Sequence, residues 1–300
     1  MWDTIVLKSQ APARSIEAGL SSDWLKAGVL SLLIAWLYSS ILLRLAEQWW
    51  RDPNCSHGFF VPAFSLFVLW RQRERLARLK SRPSSWGLFI IATALCVLVV
   101  GVLGAELFLS RVSLLLLLAG LTVFFRGWSY FKAVLFPWAF LLLMVPIPAI
   151  VLNQLTFPLQ ILASRIAAIL LPLVGVPVLR EGNIINIPAV PLEVAEACSG
   201  IRSLFSLVAL SLIYGYVNET RTSIRAMLTL ASVPVAVAAN SLRIVGTGML
   251  AQYWDPSKAE GVFHLFSGWL IFLVSLGALW ALHRLSRTLL RTREAPLHGL

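Results

Sequence analysis

Apolar stretches close to the roughly 20 residues that cross a bilayer as a helix recur along the whole of this 300-residue chain. Hydrocarbon offers the backbone no hydrogen bonds, so such stretches are confined to helices that satisfy their own N–H and C=O groups. Hydrophobic residues make up 58% of the sequence and charged residues 13%, against about 25% charged in soluble domains, and the mean hydropathy is +0.81. We therefore expect an all-α polytopic membrane protein. No polar segment is long enough to bury a core of its own, so residues 1–300 read as a single integral-membrane domain.

The formal charge of +11 does not point to nucleic acid, because the basic residues cluster beside apolar segments, as orientation signals do. The cysteines Cys55, Cys96 and Cys198 are scattered and make neither a disulfide framework nor a zinc pattern. HExxH, GxSxG and Walker patterns are absent, so no metal and no cofactor is expected. The polar, mixed residues 1–25 do not read as a cleavable signal peptide and are taken as a cytoplasmic N-terminal segment.

Hydropathy and the Pro/Gly breaks place about eight transmembrane helices, near 26–47, 58–72, 87–109, 111–126, 130–151, 199–217, 222–250 and 264–284. Residues 153–178 are apolar but carry Arg165 and several prolines, and read as an extracytoplasmic interfacial or re-entrant helix. Residues 179–197 follow as a short β-like loop, since Gly182 and the prolines break helix and alternation appears at Ile184–Ile187.

The run "RQRERLARLKSR" at 71–82 puts six basic residues after the second span and marks that end as cytoplasmic. Counting from there, Lys8, Arg14, Lys26, Arg126, Lys132, Arg221, Arg225 and the basic tail at 286–300 also fall inside. The opposite loops carry only Arg44, Arg51, Arg111, Arg165, Arg180 and Lys258. This balance requires 152–198 to return to the side it left; a full crossing there would put the basic tail on the wrong side.

With that topology, Cys198 stands at the outer start of the sixth span, Asn240 and Arg243 in the outer half of the seventh, and His264 at the outer start of the eighth. An arginine near the middle of an apolar span costs on the order of 2–3 kcal/mol on insertion scales, so it usually faces a polar cavity. An ion pair of Arg243 with Glu193, Glu196 or Glu260 is the structural alternative, and Glu196 also suits a plain helix cap. A thiol at a helix start, with Arg202 one turn on, has the surroundings that favour a thiolate. His264 suits proton transfer, and the Arg243 fork suits a developing oxyanion or a substrate carboxylate. Together they describe a membrane-embedded acyl-transfer site.

The blocks "EACSG" around Cys198, "ANSLR" ending at Arg243 and "FHLFSGW" containing His264, with "SHGFFVP" at 56–62, resemble the exosortase/archaeosortase family of membrane cysteine transpeptidases over residues 40–285. The resemblance implies Cys198 as nucleophile, Arg243 as essential arginine and His264 as third catalytic group. Arg202, Glu196, Glu193, Asn240 and His57 are read as supporting or substrate-positioning residues. Substrates of that family are exported proteins with a C-terminal sorting signal (PEP-CTERM): a Pro-Glu-Pro-like motif, one transmembrane helix and a basic tail. The acyl group passes to an acceptor, a lipid or glycan, at the outer face of the bacterial inner membrane, and bacterial members are tied to exopolysaccharide production. Two other readings stay open on the residues alone: a multi-pass transporter, and an intramembrane cysteine protease that only hydrolyses.

Overall fold

The computed structural model describes residue 25 and residues 28–194, 200–254 and 262–294; the side chains of 200–202, 262–267 and 290–294 lie outside the description. The chain divides into two compact units, residues 1–47 and 48–300. The described part of the first consists of α1 (Gly28–Leu37) and most of α2 (Ser39–Arg51), a pair bent by 64° and together apolar enough for one broken span.

The second unit is a helical bundle with one small sheet. A 3-10 turn (Ser56–Phe59) leads into α3 (Phe60–Arg71), then the short α4 (Arg73–Ala77). The pair α5 (Trp86–Leu103) and α6 (Leu107–Arg126) forms a tight antiparallel hairpin. Gly101 permits that approach, because a Cβ there would stand 2.6 Å from Ser110 Oγ. Small residues at such contacts let helix backbones pack where lipid supplies no hydrophobic drive. The outward faces stay apolar, with Phe89, Val99 and Leu103 exposed.

The fifth expected span ends earlier than hydropathy suggests. α7 (Trp128–Phe140) tightens into a 3-10 turn (Leu141–Met144) and stops, with Val145 and Pro148 extended. Proline disfavours helix in the residue before it, and Pro146 and Pro148 act in succession. Residues 149–151 belong instead to α8 (Ala149–Leu173), which runs unbroken through Pro158 and is long and apolar enough to cross a membrane.

The β-like segment is a three-stranded antiparallel sheet, β1 (Leu179–Glu181), β2 (Ile184–Asn186) and β3 (Pro191–Glu193), in that order. Its register pairs Ile185 with both Arg180 and Leu192. Period-two alternation turns Ile185 and Leu192 into a core shared with Ala163, Ala167 and Leu171 of α8. Ser164 Oγ donates to the Gly182 carbonyl at 3.1 Å, anchoring the β1–β2 turn to α8.

α9 (Gly200–Asn218), α10 (Thr222–Tyr253) and α11 (Val262–Glu294) close the bundle. Leu207, Ala236 and Leu279 form the centre of their packing. α8 runs parallel to the second half of α10: Thr156 and Gln160 lie beside Ala236 and Asn240, and Leu171 packs on Gly248. Tyr253 Oη donates to the Val174 carbonyl and the Ala189 N–H donates to Gln252 Oε1, so the end of α10 is tied to the sheet region. Five described helices are long and apolar enough to span, six if the bent pair counts as one, while 128–144 and 203–218 are shorter apolar helices.

Candidate functional site

The repeating small positions of α10 place Ala236, Asn240, Arg243 and Thr247 at successive steps of three and four residues, all buried. Arg243 is 8% exposed and Asn240 9%. Ser203 and Leu207 from the first turns of α9, and Gly268 from α11, surround them. Gly268 of α11 lies against the fork: a Cβ there would stand 3.9 Å from the Arg243 guanidinium carbon, an ordinary van der Waals contact. A charged fork is thus held where three helices meet.

Of the residues expected at this site, Cys198 and Glu196 lie outside the described residues, as do the side chains of Arg202 and His264. What is described brackets them in the chain. β3 ends at Glu193, which is exposed, and the Val194 N–H donates to the Asn183 carbonyl at 3.0 Å. α9 begins at Gly200, two residues after Cys198, and Arg202 is in its first turn. His264 is in the first turn of α11, one helical turn before Gly268. Asn240 and Arg243 are brought together by the structure; Glu193 is not part of their cluster.

A second polar cluster was only half anticipated. A cavity of about 340 Å³ is lined by Asp52, Asn54, Cys55, His57, Glu106 and Arg111, with Leu142–Ala149 and Phe205. Trp49 Nε1 donates to the Met144 carbonyl at 2.9 Å and packs over Gly58, which seats the 54–58 turn against the end of α7. His57 Nε2 donates to the Leu143 carbonyl at 3.2 Å, and its ring lies parallel to Phe205 at 6.1 Å. Burial lowers the His57 pKa, with the nearby backbone of Leu143 and Asn54 acting the other way. The ring is therefore neutral near pH 7, and Nδ1 is left as an acceptor.

Cys55 is not poised for chemistry. Burial, then the nearby Asp52 carboxylate, push its thiol up to about 12, with Arg111 acting the other way. Its Sγ donates to Asp52 Oδ2 at 3.4 Å. Arg111, expected at the outer start of the fourth span and counted with the outer loops, is the fifth residue of α6 and only 3% exposed. The available signal was the apolar run after it: "VSLLLLLAG" continues the helix, as it does past Arg243. Among the described residues no group of histidines, cysteines and carboxylates has the arrangement to hold a metal ion.

Taken together, these features define a multi-pass helical membrane protein with a buried arginine at a three-helix junction. Residues 49–281 match the family described as Transmembrane exosortase (Exosortase_EpsH), and the chain belongs to that family. No curated protein and no solved structure matches it.

Proposed function

We propose that this protein is a cysteine transpeptidase that removes the C-terminal sorting signal of exported proteins and transfers the acyl group to an acceptor. The observation that carries this reading is Arg243, buried at the junction of α9, α10 and α11. The Cys198 thiol gives its proton to His264 and attacks the scissile carbonyl; a C–S bond forms and the oxyanion lies against the Arg243 fork. Collapse breaks the C–N bond, and His264 returns the proton to the leaving amine. An acceptor hydroxyl or amine then attacks the thioester, loses its proton to His264 and releases the thiol. Asn240, Arg202, Glu193 and Glu196 serve as supporting or positioning residues.

The proposed topology has eight crossings with the site facing the periplasm. Its supports are the basic residues at 71–82, 221–225 and 284–293. The test is co-expression with a reporter ending in a Pro-Glu-Pro-like motif, a transmembrane helix and a basic tail. Wild type should shorten the reporter and add an acceptor mass, and Cys198→Ala should leave it intact. A product ending in a free carboxylate would instead assign pure hydrolysis, and no shortening would remove the reading.

A further inference from the structure

Six buried side-chain polar atoms have no hydrogen-bond partner among the described residues, and four of them belong to residues lining the 340 Å³ cavity: Asn54 Oδ1, His57 Nδ1, and Nε and Nη2 of Arg111. Buried polar groups are seldom left unpaired, because each forfeits its bonds to water. The two carboxylates on the wall do not serve Arg111. Asp52 accepts from the Asn54 N–H at 2.8 Å and from Cys55, and Glu106 accepts from the Phe108 N–H at 3.1 Å as the cap of α6. The cavity therefore offers one planar pair of donors beside two acceptors, in otherwise apolar walls of Leu142, Met144, Val145 and Ile147.

We propose that this cavity is a binding subsite for an acidic residue of an extended peptide, its carboxylate on the Arg111 fork and a backbone N–H on Asn54 or His57. Carboxylate and guanidinium match as two parallel hydrogen bonds. A phosphate group fits worse: it carries more charge next to Asp52 and Glu106, and it brings no donor for the two acceptors. The volume lies in the range of pockets that enclose small ligands. Phe205, which lines the cavity and stacks on His57, is in the second turn of α9, the helix whose first residue follows Cys198 by two positions in the chain. The substrate role of this subsite rests on the sorting function proposed above; the binding itself does not.

The test is equilibrium binding of fluorescent, end-capped tripeptides with central Glu or Gln to the full-length protein in zwitterionic nanodiscs. The Glu peptide should bind about 10- to 100-fold tighter than the Gln peptide, the range of a hydrogen bond to a charged group. Arg111→Met should remove that preference, and Arg111→Lys should keep part of it. Equal binding of Glu and Gln peptides to wild type overturns the proposal without any variant having to fold. Inorganic phosphate displacing the Glu peptide as well as free glutamate does would overturn it in favour of a phosphate site. Glu-selective binding in a protein that leaves the reporter uncut keeps this subsite and removes the sorting function. Reporter cleavage without Glu selectivity does the reverse.

Discussion

The guanidinium carbon of Arg243 lies 3.9 Å from where a Cβ on Gly268 would stand, and both terminal nitrogens lie at 4.0 Å. That spacing is ordinary contact, so Gly268→Ala should process substrate near the wild-type rate. Gly268→Leu has no room and should push the fork out of place. We expect it to accumulate normally and lose about 100- to 1000-fold in processing, the scale of a lost oxyanion donor. Wild-type turnover by the Leu variant would show that the approach of α11 to Arg243 is irrelevant.

The two arginines should differ in what they tolerate. Arg202 is in the first turn of α9, where a positive charge of either shape favours a thiolate, so Arg202→Lys should retain substantial processing. Arg243 sits in a tight junction where one ammonium cannot replace a planar fork. Arg243→Lys should be close to inactive at normal protein level, read by reporter cleavage against quantitative immunoblotting.

Thiol chemistry should single out position 198. With its pKa near 12, Cys55 is ionised on the order of one part in ten thousand at pH 8. In single-cysteine variants we expect an impermeant maleimide to label Cys198 rapidly from the periplasmic side, and Cys55 only as the pH is driven well above 9. Cys55→Ala should keep most processing. Labelling of position 198 from the cytoplasm alone would invert the topology.

At the other end of the bundle, Glu219 accepts from the Thr220 and Arg221 N–H groups and lies 3.3 Å from His283 Nε2 and 3.5 Å from Arg287 Nε. Tyr214 Oη and His283 Nδ1 are 2.8 Å apart, so this network joins α9, the α9–α10 turn and α11. Burial alone would raise the Glu219 pKa, but these hydrogen bonds and Arg287 hold it at about 2 instead of 4.5. A lowered carboxylate pKa stabilises the fold above the unfolded value. The contribution is thus complete above pH 4.5 and is lost as the pH falls toward 2. Glu219→Gln should cost about 1–3 kcal/mol at neutral pH, and its thermal unfolding in detergent should depend less on pH across that window than wild type does.

The class of the molecule was legible without any coordinates, since apolar length and basic asymmetry are properties of the chain itself. The sheet was legible too, because Gly182 and the alternation at Ile184–Ile187 are local signals. Helix ends were less so: hydropathy runs smoothly through 130–151, whereas Pro146 and Pro148 end one helix and Ala149 starts another.

Arg243 announced itself by lying inside an apolar run, and the ordered motifs named Cys198 and His264. Nothing in the chain paired Arg243 with Gly268, Arg111 with Asn54 and His57, or Glu219 with His283. Those pairs are 25 or more residues apart and come from different elements of the fold. Composition and periodicity report what each helix turns toward its neighbours in general. Which neighbour it meets depends on how the helices pack, and in a membrane that is decided by close small-residue contacts and buried polar partners.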